Sequence, residues 1–386
     1  MDYELTETPK LIRDPARRIA RERVQPRAAE IDEQGEYPED IFAVFRQAGL
    51  MGLTIPPEYG GGGSFLALAL TVEETAKYCC SSGLILLLSA LSTQSIVIAG
   101  SEELKQAWLP RSAAGDVRGA FCLTEPNAGS DAAAIESRAV RDGDEYVIDG
   151  EKMFISGGSV ADFVVTFAKT DPAAGTRGFS AFVVPTDNPG FSVARLDRKM
   201  GVTGVPTANL VFQNCRVPAS NLIGEEGRGF HIAMLNMGTC RPVVGARGLG
   251  LAQGALTYAL DFARQRRTFG RPILEHQAIQ FTLADMATQI QAARHLIYHA
   301  CWLVDQGKYD RQYAPYLSFA KVFATEMAVK VSSDALQILG AQGYMKDHPL
   351  ERHYRDARQL MIVEGTSQVQ RIIIARGLAE GDIVYG

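Results

Sequence analysis

Near Arg118 the hydrophobic pattern changes its period, and that change restricts the chain to a small set of architectures. Upstream, from about Thr8 to Ala114, apolar side chains recur at helical spacing. One helix is expected over Leu11 to Ile31, and Pro38 opens a second that carries Phe42 and Phe45. The run Tyr59-Gly60-Gly61-Gly62-Gly63 interrupts this; lacking the Gly-Lys-Ser/Thr ending of a phosphate loop, it reads as a turn feeding a helix from Ser64 to Tyr78. After Arg118 short β-rich runs take over: Ser137 to Val140, Tyr146 to Ile148, Phe163 to Ala168, Phe179 to Val184 and Leu210 to Phe212, separated by Asp-Gly, Gly-Gly and Pro-Gly pairs. Such spacing predicts a small antiparallel barrel or sandwich. Helical texture returns after Gly229. Val244, Leu249, Ala252, Leu256 and Leu260 mark one helix, Leu274, Ala278, Phe281 and Ala284 begin another, and Leu317, Ala320, Ala324, Met327, Val331 and Ala335 define a third. The expected fold is mainly α with a β domain (α+β): an N-terminal helical domain over 1–117, a middle β domain over 118–225 and a C-terminal helical bundle over 226–386.

A chain of 386 residues exceeds what one core usually serves, consistent with several packed units. The net charge of −5 argues against a nucleic-acid partner, because neutralising phosphates takes a basic face. Six cysteines show no C-x-x-C spacing and sit in apolar contexts, which points to a reducing compartment. Asp2, Glu4 and Glu7 precede any apolar run, so a secretory signal or an acid-poor transit peptide is not expected and the cytoplasm is. The apolar stretch Leu84 to Ala99 is short for a membrane span and carries Ser89, Ser92, Thr93, Gln94 and Ser95; a buried helix is the better reading.

Five segments concentrate groups that do chemistry. In Met361-Ile362-Val363-Glu364-Gly365-Thr366-Ser367-Gln368 a carboxylate follows two branched apolar residues, a setting that strips solvent and lifts a carboxyl pKa toward the ~6–7 useful to a general base. The competing reading is that Glu364 caps the helix beginning near Thr366. Phe121-Cys122-Leu123-Thr124-Glu125-Pro126-Asn127-Ala128-Gly129-Ser130-Asp131 runs from a strand into a glycine turn, able to hold a heterocycle and a phosphate or else only to cap the turn. Phe154 and Ser156 alternate onto one face of a strand, either as a ring-and-hydroxyl cradle or as barrel interior. Arg264, Arg266, Arg267 and Arg271 surround Thr268 and Phe269, with Gln277 beyond. This is a diphosphate site or a capped helix end. Gln337-Ile338-Leu339-Gly340-Ala341-Gln342-Gly343-Tyr344 ends a long helix, where the glycines either stop it or admit a ligand. His295 and His299 lack a third ligand, so no metal is expected. Ser318 and Lys321 have nucleophile spacing but lie in a core helix without a companion motif.

Together the segments C-L-T-E-P-N-A-G-S-D (122–131), R-T-F-G (267–270), Q-I-L-G-A-Q-G-Y (337–344) and E-G-T-S-Q-V-Q-R (364–371) resemble the acyl-CoA dehydrogenase family over essentially the full chain. The resemblance implies FAD as cofactor, a C-terminal four-helix bundle, a homodimer or homotetramer in which a neighbour completes the dinucleotide site, and an electron-transfer flavoprotein as acceptor. It implies that Glu364 removes the α-proton of an acyl-CoA thioester while the β-hydrogen leaves as hydride to flavin N(5), the Glu364 N–H polarising the thioester carbonyl as an oxyanion hole does. By the same resemblance Phe121, Leu123, Thr124, Ser130, Phe154, Ser156, Thr366 and Gln368 touch FAD. Arg266, Thr268, Phe269, Gln277, Gln337, Gly340 and Ala341 bind its adenine dinucleotide, while Ser130, Arg241, Val363 and Gly365 meet the substrate. The chain departs from the pattern in four places. Phe154 stands where tryptophan is usual, Ala341 replaces glycine or serine, and Cys240 occupies a position where some relatives carry an alternative glutamate base. Val363 replaces a common aromatic, which removes bulk and predicts a branched, cyclic or otherwise wide acyl group. Leu86 to Gln94 is the expected pocket floor, apolar and without an arginine for a second carboxylate. Contrasting expectations are an oxidase or desulfinase on the same scaffold, or a non-catalytic flavin- or CoA-binding assembly protein.

Overall fold

The computed structural model describes residues 7–383, with side chains from Leu11 onward; residues 1–6 and 384–386, inside the first and third expected domains, lie outside the described residues. Six helices come first: α1 Glu7–Ile19, α2 Ala28–Gln34, α3 Glu39–Gln47, α4 Phe65–Ala76, α5 Cys80–Ala99 and α6 Glu102–Ala113. The helix expected over Leu11 to Ile31 is divided between α1 and α2 by a π turn at Ala20–Val24 and a 3-10 turn at Gln25–Arg27. Pro26 lies in that break. It has no N–H to donate, and its ring crowds the preceding turn. The start of α4 is capped twice, by Ser64 Oγ accepting from the Ala67 N–H at 3.1 Å and by Asp305, from the bundle, accepting from the Phe65 N–H at 2.6 Å. Among the described residues one helix, α5, is long and apolar enough to cross a membrane by length and composition, but it is mostly buried within the protein.

Eight strands follow: β1 Gly119–Cys122, β2 Arg138–Asp142, β3 Glu145–Ser156, β4 Phe163–Lys169, β5 Phe179–Pro185, β6 Phe191–Leu196, β7 Thr207–Pro218 and β8 Leu222–Ile223. They pair in the order β6-β7-β3-β2-β4-β5-β8 with β1 joined to β4. Most pairings are antiparallel as expected, but β1 runs parallel to β4 and β2 meets β4 in parallel at one position. The central strands are covered on both faces. Phe163, Val165, Phe167, Phe179, Ala181 and Val183 pack toward Ile96, Leu104 and Leu109 of the helices, while Val164, Phe182 and Val184 pack with Cys122, Ile148 and Leu210 inside the curled sheet. Runs buried on both faces read as near-continuously apolar, which is how 163–168 and 179–184 read apart from Thr166 and Ser180.

The last third begins with α7 Gly229–Gln265, then a hairpin of β9 Arg267–Thr268 and β10 Arg271–Pro272, then α8 Gln277–Asp305, α9 Ala314–Leu339, α10 Leu350–Leu360 and α11 Ser367–Glu380. The helices α7, α8, α9 and α11 pack as the bundle, and short α10 lies against α7 and α9. Glycines let α7 approach its neighbours: a Cβ at Gly250 would stand 2.2 Å from Glu73 O and one at Gly248 3.0 Å from Ala324 O. The main apolar core runs through α3 to α5 and all of α7 to α9, so the two helical regions share one interior.

Candidate active site

Between the end of α10 and the start of α11 the backbone turns through Glu364 and Gly365, both left-handed at φ 51° and 87°. Glycine adopts this freely, whereas for a glutamate it costs roughly 1–2 kcal/mol. Surrounding bonds hold the turn. Lys321 Nζ donates to Gly365 O at 2.8 Å, and Gln370 Nε2 donates to the same oxygen at 3.0 Å and to Glu364 O at 3.3 Å. On the other side the Val363 N–H reaches Gln359 O at 3.1 Å and the Ser367 N–H reaches Met361 O at 3.0 Å. Thr366, not Glu364, caps α11, its Oγ1 accepting from the Val369 N–H at 3.2 Å. The Glu364 carboxyl is thus free of any capping duty. Its Oε2 is enclosed without a hydrogen-bond partner, and its backbone N–H has no acceptor among the described residues.

Loss of solvent pushes the Glu364 pKa up to about 7, against the pull of three cations, Arg247, Lys321 and Arg241 in that order. Burial in turn pushes Lys321 down to about 8 and Arg241 down to about 10. Two helices deliver these cations, α9 carrying Lys321 while α7 carries Arg241 and Arg247. A carboxyl with its pKa near neutrality is poised to take a proton. Cys240 precedes Arg241, fully buried, with its thiol raised by burial and, secondarily, by the Glu364 charge.

The predicted ring-and-hydroxyl cradle is assembled by two segments. The Met153 N–H donates to Thr124 O at 2.9 Å, so Thr124 lies beside β3 next to Phe154. Lys152 Nζ then pairs with Glu125 at 2.7 Å and donates to Phe167 O at 2.6 Å, pinning the 122–131 loop to the sheet. The alternation expected for Phe154 and Ser156 is modified by a bulge between Lys152 and Ile155. Phe154 sits there at φ 61° with 60% of its surface exposed, flanking buried Ile155 with half-buried Ser156 on the other side. A strained, uncovered aromatic ring beside two hydroxyl residues fits a planar heterocycle. Phe121 and Thr124 are half-buried, Leu123 is buried and Ser130 is exposed. On α5, Leu88, Ser89, Ser92 and Thr93 of the predicted floor line a cleft with Arg118, Gly119 and Gly157.

The remaining predicted residues stand elsewhere. Arg266, Phe269 and Gln277 are exposed around the hairpin, Thr268 is half-buried, and Gln337, Gly340 and Ala341 are exposed at the end of α9. Along α7, Arg266 is ~37 Å from Arg241, and along α9, Gln337 is ~24 Å from Lys321. One chain therefore separates these residues from Glu364 while keeping Thr366, Val363 and Gly365 beside it, with Gln368 exposed on the first turn of α11. Lys321 and Arg247 lie outside the motifs, and Gln370 and Glu125, though inside them, receive no role there; Glu125 acts through its pair with Lys152. Lys321 had been visible only as the end of Ser318-Phe319-Ala320-Lys321 in a core helix, and nothing local marks it as the neighbour of Gly365.

Family profiles for acyl-CoA dehydrogenase match the chain in three parts, the N-terminal domain over residues 6–116, the middle domain over 120–215 and the C-terminal domain over 227–379. An acyl-CoA dehydrogenase of Bacillus subtilis is 42% identical over 98% of this chain and 99% of its own length. The cyclohexane-1-carbonyl-CoA dehydrogenase of Geobacter metallireducens is 42% identical over 97% of this chain and 98% of its own. Among solved structures, butyryl-CoA dehydrogenase from Megasphaera elsdenii superposes with a TM-score of 0.95 at 37% identity, covering 98% of this chain and 100% of that one. With the Glu364 turn and the cradle in place, these matches settle the assignment: the chain belongs to the acyl-CoA dehydrogenase family of FAD-dependent oxidoreductases.

Proposed function

We propose that the protein removes a hydrogen pair across the α,β bond of an acyl-CoA thioester, giving the 2-enoyl-CoA, with Glu364 as the base. The observation that carries this is half-buried Glu364, its Oε2 enclosed without a partner and its pKa near 7, on a strained turn held by Lys321 and Gln370. Glu364 takes the α-proton. Its free N–H polarises the thioester carbonyl, and Lys321 and Arg241 supply positive charge where negative charge develops. Phe154, Ser156, Thr124 and Phe121 orient the flavin, with Leu123, Ser130, Thr366 and Gln368 as further contacts. FAD, when bound, supplies the hydride acceptor. Arg241, Val363, Gly365 and Ser130 face the substrate, and Val363 leaves width beside the reacting carbons, which favours a branched or cyclic acyl group. A cyclic substrate in the name of one relative agrees with that.

Arg266, Thr268, Phe269, Gln277, Gln337, Gly340 and Ala341 hold the adenine dinucleotide of a neighbouring subunit, because their own chain carries them far from its own Glu364. The working form is a homodimer or homotetramer in the cytoplasm, passing electrons to an electron-transfer flavoprotein. Glu364→Gln tests the central step: FAD stays bound, while anaerobic bleaching of the flavin by a panel of acyl-CoA esters slows by about 10³-fold. Bleaching at the native rate would remove Glu364 from the chemistry.

A further inference from the structure

Arg247 lies on α7 and is fully buried, yet its Nε and Nη1 have no hydrogen-bond partner and no carboxylate pairs with it among the described residues. Only Nη2 is engaged, and loosely: 3.5 Å from Cys80 O, 3.4 Å from Cys80 Sγ and 3.2 Å from Gln359 Oε1. Those neighbours place it. Cys80 opens α5, and Gln359 is the residue whose carbonyl receives the Ile362 and Val363 N–H groups leading to Glu364. Arg247 Cγ stands 3.7 Å from where a Cβ on Gly83 would be, so the side chain crosses α5 at its first turn. On that turn Ser82 Oγ is also buried without a partner. A buried guanidinium with two idle nitrogens is unfavourable unless an anion meets it.

Resting on the dehydrogenase reading, the geometry points to Arg247 as the receptor for an anionic oxygen group, a carboxylate, at the far end of the acyl chain. The thioester end meets Glu364, and the chain then runs past Val363 toward the first turn of α5, where Arg247 waits. Surrounding charge agrees: Lys199 lies within the field of Arg247, and the nearby Asp356 is spent on the Val202 N–H rather than on the guanidinium. Segment 86–94 carries no arginine of its own; α7 brings one to Cys80 across 167 positions.

The test compares acyl-CoA esters of equal length ending in methyl or in carboxylate. Anaerobic flavin bleaching gives rates, and titration of non-oxidisable 3-thia analogues onto the holoenzyme gives affinities. The wild type is expected to favour the carboxylate-ended member at least tenfold in both, Arg247→Met to reverse the order, and Arg247→Lys to restore part of it. Equal or reversed preference in the wild type overturns the inference. So does an Arg247→Met protein that weakens both esters by the same factor, or that only shifts the pH midpoint of the base. If methyl-ended esters bleach well and carboxylate-ended ones do not, the dehydrogenase reading survives and this one ends. If no ester bleaches the flavin, the dehydrogenase reading itself ends. The wild-type comparison decides even where Arg247→Met fails to fold.

Discussion

Glu364 unites two costs, a left-handed backbone and a desolvated carboxyl, and both are offset by neighbours distant in sequence. Its pKa near 7 stands above the ordinary 4.5, so the folded state holds the proton more tightly than the unfolded one. The sign follows from linkage. Its contribution is complete below pH 4.5, is lost as pH rises to about 7, and is constant above. Glu364→Gln should accordingly raise Tm at pH 8, with the gain shrinking as pH falls toward 4.5; a Tm that drops at pH 8 would contradict the desolvated carboxyl. Flavin reduction should rise with pH through a midpoint near 7. The groups acting on that midpoint are Arg247, Lys321 and Arg241, with the Cys240 thiol adjacent. Lys321→Met removes one of the cations and the donor to Gly365 O, so the midpoint should move upward in stopped-flow profiles; an unmoved or lower midpoint rejects Lys321 as a partner of the base. Motif reading reached Glu364 but not Lys321, because a buried lysine in an apolar helix looks like any other helical residue until its partner is known.

The hairpin after α7 shows how an element can be built for contact rather than for stability. Phe269 and Gly270 both have positive φ, 50° and 81°, between β9 and β10, the two-residue turn that normally recruits Asn-Gly or Gly-Gly. Phe269 is 96% exposed there. Phe269→Gly relieves backbone strain and removes only an edge contact of the ring with His276, so the stability of the apo chain should stay within about 1 kcal/mol. FAD should nonetheless dissociate faster, seen as flavin fluorescence recovered on dilution. Unchanged FAD retention would deny the ring a role. Gly340 ends α9 at φ 60° and ψ −135°, with nothing within 4 Å of an added Cβ. Gly340→Ala should thus lower stability by roughly 1–3 kcal/mol from conformation alone, measurable by denaturant unfolding. Helix and strand textures were readable here, while the hairpin was hidden inside what looked like a basic helix end. Four arginines at a helix terminus satisfy a capping argument as well as a phosphate argument.

At the scale of the whole molecule, α7 and α9 act as spacers that set Arg266 ~37 Å from Arg241 and Gln337 ~24 Å from Lys321. Sharing between subunits should therefore be visible by complementation. Mixed oligomers of Glu364→Gln and Arg266→Ala chains should recover activity that neither homo-oligomer has, and native mass should show at least a dimer. A monomeric mass with full FAD occupancy would refute sharing. Sequence alone determined the succession of helical, β and helical regions and singled out Glu364 as the candidate base, because periodicity and short motifs are local properties. Tertiary structure alone decided that Lys321 and Arg247 lie around Glu364, and that the residues proposed to hold the dinucleotide stand apart from it. Such relations join residues from α5, α7, α9 and the 364–370 turn, and desolvation and charge arise only once those segments exclude water together.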